Sequence, residues 1–89
     1  MKGIITVLGR DRVGIIAEVC TYLSGQGINI LDISQTIVQG YFSMLMIVDM
    51  GEAGGRFEQC AAELCALGGK TALEIKLQHE AIFNSMHRV

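Results

Sequence analysis

Hydrophobic residues in the first third of the chain follow two different spacings. Residues 4–8 are an almost continuous apolar run and, with residues 2 and 3, predict a strand. The segment that follows has apolar residues at the i, i+3, i+4 and i+7 spacing of an amphipathic helix, namely Ile16, Val19, Cys20 and Leu23. Gly25 and Gly27 flank its expected C-terminal cap, so this helix should end near Gln26.

The middle of the chain alternates with the period of two that is typical of a half-exposed strand. Within residues 29–38, one face is expected to carry Leu31, Ile33 and Ile37, and the other Asp32, Ser34 and Thr36. Gln39-Gly40 then predicts a two-residue hairpin turn, because glycine tolerates a positive φ angle. Residues 41–49 form the second strand of this hairpin.

The last third again places a helix before a strand. After a loop at residues 52–55, the apolar face of the helix carries Phe57, Cys60, Leu64 and Leu67. Gly68-Gly69 should end the helix, and residues 71–78 alternate as a strand, with Leu73, Ile75 and Leu77 on one face. Residues 79–89 offer only Ile82, Phe83 and Met86 to one side of a short helix, which must therefore dock on another surface.

The resulting order, βαββαβ, predicts a ferredoxin-like α+β sandwich. Right-handed crossovers put both helices on one face of an antiparallel four-stranded sheet with the strand order 4-1-3-2. The predicted central strands, the first and third, are apolar at consecutive positions, whereas the predicted edge strands alternate. We therefore expect one domain at residues 1–78 and a C-terminal tail at 79–89 that docks on the domain or on a partner subunit.

Apolar residues on both faces of the central strands have a consequence for assembly. Two helices on one face leave the second face uncovered, and a large bare apolar patch is unusual on a soluble monomer. The tail, a second copy of the chain, or both should cover it. A chain of 89 residues that is 51% hydrophobic and 18% charged also gains stability from association. The sequence therefore predicts a homodimer.

Charge and composition argue against several classes of partner. The net charge is −2 and no basic face is visible, which disfavours nucleic acid and anionic membranes. The longest apolar run, residues 44–48, is far shorter than the roughly 20 residues of a membrane span, and no signal-peptide pattern is present at residues 1–10. We expect a cytoplasmic protein. Its three cysteines, Cys20, Cys60 and Cys65, form no Cys-x-x-Cys pair and are predicted to be free, buried thiols.

The candidate chemistry lies between the first strand and the first helix. The loop contains Arg10, Asp11 and Arg12 and is flanked by Gly9 and Gly14. The N–H groups of a first helical turn have no partner within the helix, and the positive end of the helix dipole lies there, so this junction can receive a carboxylate or phosphate. The alternative is structural, with Asp11 capping the helix by accepting from those N–H groups.

This loop carries a family resemblance. The segment from Gly9 to Val19, followed after one helix by Gly27-Ile28-Asn29-Ile30, resembles the ACT domain. Residues 32–36, Gly40-Tyr41-Phe42 and residues 79–88 are similar to signatures of its stand-alone, single-domain branch in bacteria and archaea. The chain is more distantly similar to the tandem-ACT regulators of glycine cleavage. The resemblance covers essentially the whole chain and implies a regulatory module that binds an amino acid and has no catalytic activity.

In this family, as the resemblance implies, the ligand lies at a subunit interface between the loop after the first strand and the start of a neighbouring subunit's second strand. The positions that correspond to these two elements are Arg10, Asp11, Arg12, Val13, Gly14, Ile15 and Asn29. Backbone N–H groups at residues 13–15 could hold a carboxylate, and the Asn29 amide could donate and accept toward an α-amino acid. No metal or cofactor is implied.

Several alternatives involve a different kind of ligand. An acylphosphatase-like enzyme would use Arg10 or Arg12 on a phosphoryl group and Asn29 to orient water, but the loop departs from that family's pattern and lacks a nucleophile. An RNA recognition module would need a basic residue where Gln39 stands and further aromatic residues. The spacing of His79, Glu80 and His87 fits no common metal site. The strongest alternative is a protein interaction or dimerisation module without a ligand.

Overall fold

Four strands and two α-helices occupy the part of the chain that the computed structural model describes, residues 2–10 and 13–80. In chain order the elements are β1 (Lys2–Arg10), α1 (Ile15–Gly25), β2 (Asn29–Val38), β3 (Tyr41–Asp49), a short 3₁₀-helix (Gly51–Arg56), α2 (Phe57–Thr71) and β4 (Leu73–His79). Every neighbouring pair of strands is antiparallel, and the sheet order is β2-β3-β1-β4. The predicted ferredoxin-like topology, with its order 4-1-3-2, is therefore confirmed.

The core lies between the two helices and one face of the sheet, which we call the helix face. Strand register defines this face, because Ile5 of β1 pairs with Met46 of β3 and with Leu77 of β4, and all three are buried. Residues two positions further along each strand extend the same surface. From the helices, the residues buried against it are Ile15, Val19, Leu23, Cys60 and Leu64. The opposite surface of the sheet, which we call the open face, carries Ile4, Leu8, Tyr41, Leu45 and Ile47.

Helix α1 faces the core with a different isoleucine from the one predicted. Ile15 is 2% exposed, whereas Ile16 is 37% exposed. The buried residues are Ile15, Val19 and Leu23, so the stripe advances by four residues at each step. Two adjacent isoleucines satisfy either helical spacing in the sequence, and contact with the sheet selects between them. The predicted end of the helix is confirmed, with Gln26 as C-cap and Gly27 at a φ of 73°.

Strand β1 runs two residues further than predicted. Gly9 and Arg10, assigned to the loop, instead pair with Phe42 and Tyr41 of β3. A Cβ atom on Gly9 would lie 2.5 Å from Leu73 Cδ2, so a side chain here would displace the Leu73 side chain. In the sheet, the Leu73 side chain of β4 occupies the space beside Gly9, a contact that the local sequence does not reveal.

The predicted hairpin turn is confirmed, but the strand before it is irregular. Gln39 and Gly40 have φ angles of 52° and 81°, the two positive values of a type I′ turn. Upstream, the register between β2 and β3 shifts between Ile30 and Asp32, so Leu31 lies in a bulge. Leu31 is therefore not on the face predicted for it, whereas Ile33 and Ile37 share one face as predicted. Ile30, paired with Val48, takes the corresponding place on the helix face.

Helix α2 continues through the glycine pair that was predicted to end it. Gly68 and Gly69 both lie within α2, which ends at Thr71, and Ala72 takes the left-handed conformation with a φ of 59°. Gly68 is buried where α2 crosses β4, and a Cβ atom there would lie 2.6 Å from the Leu73 carbonyl oxygen. Close packing of helix on strand is therefore the reason for this glycine.

The structure can be compared with two further expectations, that the cysteines are free, buried thiols and that the chain has no membrane-spanning helix. Cys20, Cys60 and Cys65 are all free thiols, as predicted, but only Cys60 is buried and Cys65 is exposed. Cys65 is rotated by about 100° around α2 from Leu64, away from the buried stripe of Cys60, Leu64 and Gly68. Among the described residues, no helix is both long enough and apolar enough to cross a membrane.

The two adjacent glycines of α2 give a matched test of this packing. Gly68→Ala should lower the free energy of unfolding by about 1–3 kcal/mol, because the new methyl group meets backbone atoms of β4 that cannot move aside without cost. Gly69→Ala should raise it by up to about 1 kcal/mol, since Gly69 has open space around it and alanine favours the helix. Urea unfolding of both variants measures the difference, and equal effects would contradict the close approach.

Candidate functional site

The N-terminus of α1 is built around a glycine in a left-handed conformation. Gly14 is the N-cap, with a φ of 94°, and has no side chain with which to cap the helix. Its carbonyl oxygen accepts from the Glu18 N–H at 2.9 Å, which is the first bond of the helical pattern. The N–H groups of the first turn precede that bond and have no acceptor inside the helix. This end of α1 therefore offers N–H donors and the positive end of the helix dipole.

A groove of about 260 Å³ opens beside this helix end. Its lining combines the first turn of α1 with the helix face of the hairpin, namely Gly14, Ile15, Ile16, Ala17, Gln35, Ile37 and Phe42. Among the described residues of that lining, the only polar side chain is the exposed amide of Gln35. Phe42 is 4% exposed and belongs to the core, so it forms the floor of the groove, while Ile37 is 53% exposed. The groove is thus apolar, with amide groups as its hydrogen-bonding partners.

The predicted site residues do not all lie at this groove. Gly14 and Ile15 line it, and since the Ile15 side chain is in the core, its backbone N–H is what remains to offer a ligand. Val13 is 96% exposed and precedes the groove. Asp11 and Arg12 lie outside the described residues, and so does the proposal that Asp11 caps the helix.

Arg10 lies on the other side of the sheet from the groove. It pairs with Tyr41, whereas Phe42, the next residue, faces the groove, and successive residues of a strand point to opposite faces. The Arg10 guanidinium carbon is 5.4 Å from the centre of the Tyr41 ring, which is within the range of a cation–π contact. The structure therefore gives Arg10 a partner on the open face.

Asn29 lies at the opposite end of the sheet. It pairs with Asp49, which also pairs with Lys2 at the start of β1, whereas the groove is beside the other end of β1. A ten-residue strand such as β2 spans about 30 Å, so Asn29 cannot reach the groove of its own chain. The expected contact is with a neighbouring subunit's ligand, and that expectation remains a prediction.

Five groove residues were missing from the sequence-based site, namely Gln35, Ile37 and Phe42 of the hairpin and Ile16 and Ala17 of α1. The alternation of β2 contains a usable signal for the first, because Gln35 is a polar residue between Ile33 and Ile37 on an otherwise apolar face. A polar residue at such a position suggests a role other than packing. Phe42 carries no comparable signal, since a core residue and a groove floor have the same sequence pattern.

A second groove, of about 640 Å³, lies where the 3₁₀-helix meets α2. Phe57 and His79 form one wall, with ring centres 4.2 Å apart and planes inclined by 23°. Among the described residues there is no group of three or more His, Cys, Asp or Glu side chains that could hold a metal ion. The sequence analysis considered a metal site made of His79, Glu80 and His87. Of these three residues, His87 lies outside the described part of the chain.

A hydrogen bond connects the two helices. The Tyr22 hydroxyl of α1 donates to Glu63 Oε1 of α2 at 2.5 Å. Burial of the Tyr22 hydroxyl, then its bond to Glu63, raises the pKa of Tyr22 well above its ordinary value. Donation by Tyr22, then by Gln59, lowers the pKa of Glu63. Both shifts mean that the folded state favours a neutral phenol beside an ionised carboxylate.

The fold is that of an ACT domain. Residues 3–78 match the sequence profile of the ACT domain family, and this chain belongs to that family. A UPF0237 protein of Bifidobacterium longum is 53% identical over 88 residues, which covers 99% of this chain and 98% of the relative. The chain thus corresponds to a relative that consists of a single ACT domain, as the sequence predicted.

Solved structures agree with this assignment. An ACT domain protein from Streptococcus pneumoniae has a TM-score of 0.77 and 38% identity, and the similarity covers 93% of each chain. A putative glycine cleavage system transcriptional repressor has a TM-score of 0.73 and 28% identity over 86% of this chain, but only 44% of its own length is covered. The more distant resemblance to glycine cleavage regulators is therefore confirmed as well.

The Tyr22–Glu63 bond gives the helix pair a defined pH dependence. A phenol whose pKa is raised by folding stabilises the folded state below its unfolded pKa of about 10, and this contribution is lost as the pH rises through the folded value. The stability difference between the wild type and Tyr22→Phe should therefore be larger at neutral pH than at about pH 11. Urea unfolding at both pH values measures it. Tyr41→Phe is the control, because Tyr41 is 56% exposed, and a pH-independent Tyr22 difference would contradict the assignment.

Proposed function

We propose that this chain is a non-catalytic regulatory module that binds an amino acid in the groove at the N-terminus of α1, with two copies forming the complete site. The observation that carries the proposal is the groove itself, in which backbone N–H donors meet an apolar wall and one side-chain amide. None of its described lining residues is ionisable or nucleophilic. That lining suits binding better than catalysis.

Each part of an α-amino acid has a complementary group in this groove. The carboxylate would accept from the N–H groups of the first turn of α1, where the helix dipole also favours a negative charge. Gly14 would let the ligand approach the backbone, since it has no side chain. The Gln35 amide oxygen can accept from the ammonium group, and Ile16 and Ile37 would contact the ligand's side chain.

The exposed edge of β2 supports the homodimer. This edge strand has ten residues, and all but Ile30 are exposed. An edge of this length presents unpaired backbone groups that favour pairing with another strand. If two β2 edges pair antiparallel about a two-fold axis, Asn29 of the partner subunit lies beside Val38, at the groove end of the sheet. This geometry would place the partner's Asn29 near the groove, although Asn29 and the groove lie at opposite ends of the sheet within one chain.

A second candidate function uses the same edge without a ligand. Apolar side chains that are between 40% and 59% exposed flank the hairpin on both faces, Ile33 and Ile37 on the helix face and Val38 and Tyr41 on the open face. An edge flanked in this way could receive a strand of another protein. In that case the chain would be an interaction module. The two candidates differ in whether a small molecule stabilises the isolated protein.

A thermal-shift screen against the common amino acids tests ligand binding. At about 100 times its dissociation constant, a ligand stabilises by about 2.7 kcal/mol, and for a domain of this size the midpoint rises by on the order of ten degrees. We expect a shift with one or a few amino acids, and its loss in Gln35→Ala and in Asn29→Ala. Thr36→Ala is the matched control, since Thr36 follows Gln35 on the opposite face. No shift with any amino acid would favour the interaction module.

The dimer edge is tested by placing a charge near the proposed two-fold axis. Ile33 lies near the middle of β2, so Ile33→Lys would set two like charges close together in the dimer and should shift the protein to monomer. Ala62→Lys adds the same charge on the exposed surface of α2 and should leave the dimer intact. Sedimentation velocity measures both variants. A dimer that persists in Ile33→Lys would show that β2 is not the interface.

A further inference from the structure

Burial along the open face of the sheet is strongly uneven. Ile4 and Leu8 both lie on this face of the central strand β1, flanked by β3 and β4, yet Ile4 is 3% exposed and Leu8 is 46% exposed. Leu8 shows how accessible a large side chain is when only the neighbouring strands surround it. Ile4 therefore has a cover that Leu8 lacks.

The same gradient appears on β3. Ile47, which pairs with Ile4, is half-buried, and so is Leu45, whereas Tyr41 at the other end is 56% exposed. No described helix covers the open face, because the buried residues of α1 and α2 all belong to the core on the helix face. The cover lies over the end of the sheet where β1 begins and stops before Leu8.

The chain leaves the sheet at this covered end. Gln78 of β4 pairs with Ile4, and His79, the last residue of β4, pairs with Gly3. The stack of His79 on Phe57, with ring centres 4.2 Å apart, fixes the end of β4 against the start of α2. Gln78, which lies one strand spacing from Ile4, is only three residues before the segment 81–89.

The length and composition of residues 81–89 fit the covered area. Strands in a sheet are about 4.8 Å apart, so a segment that starts at β4 must cross about 10 Å to pass over β1 and reach β3. Nine residues span about 13 Å even as a helix, which is sufficient. The segment contains Ile82, Phe83 and Met86, which can supply the apolar contact.

We propose that residues 81–89 dock in cis on the open face, over Ile4 and Ile47, and leave the Leu8 and Tyr41 end of that face uncovered. Docking in cis is favoured because the segment is tethered beside its site, which gives it a high effective concentration. The proposal does not depend on amino-acid binding. If the segment covers this part of the open face, a second copy of the chain cannot bind there. The edge of β2 is then the surface that remains available to the second copy.

Methyl NMR of the full-length chain with ¹³C-labelled isoleucine δ1 methyl groups tests the proposal. We expect nuclear Overhauser contacts between the Ile4 methyl and the ring protons of Phe83. In a mixture of labelled and unlabelled protein, an isotope-filtered experiment that retains only intermolecular contacts should lose them. Retention of these contacts in the filtered experiment would overturn docking in cis, because the segment would then lie on a partner subunit.

Shortened and substituted chains provide the second measurement. In a chain that ends at Glu80, a soluble paramagnetic agent should broaden the Ile4 and Ile47 methyl signals as strongly as that of Ile37, which is exposed on the other face. Phe83→Ser should act in the same direction in the full-length chain, which decides the matter if the shortened chain does not fold. Ile37 should be unchanged throughout. An Ile4 signal that remains protected in both variants would refute the proposed cover.

Discussion

The constraint on which the rest of the structure depends is that the two central strands are apolar on both faces. On the helix face, β1 and β3 contribute Ile5, Val7, Met44 and Met46, all of which are buried against the helices. On the open face, the same strands contribute Ile4, Leu8, Leu45 and Ile47. Two helices satisfy only one of these surfaces. The fold is therefore incomplete as a sheet and two helices, and its remaining surfaces need a cover or a partner.

This constraint explains why the order of the elements could be predicted. Apolar residues are consecutive in β1 and β3, whereas they alternate with polar residues in β4. This difference indicates which strands lie in the centre of the sheet, and right-handed crossovers then leave one topology. These signals extend over whole strands. A local irregularity such as the bulge at Leu31 changes one position without changing the order.

The errors share a different physical origin. Gly9 and Gly68 were assigned to a loop and a helix end, which is what isolated glycines usually indicate. Both instead mark close contacts between elements that are distant in the sequence, Gly9 with Leu73 and Gly68 with the β4 backbone. The groove was only partly predicted for the same reason. Gly14 and Ile15 come from the loop, but Gln35 and Ile37 join them only through the register between β2 and β3.

The position of the groove at an edge strand connects the two parts of the proposed function. Gln35 and Ile37 belong to β2, so the strand that would bind the ligand is also the strand that would pair with a second copy. A ligand that contacts Asn29 of the partner subunit binds the dimer in preference to the monomer. By linkage, a preference of about 100-fold would strengthen dimerisation by about 2.8 kcal/mol. The amino acid would then act through the association of subunits, without a change in the fold of either one.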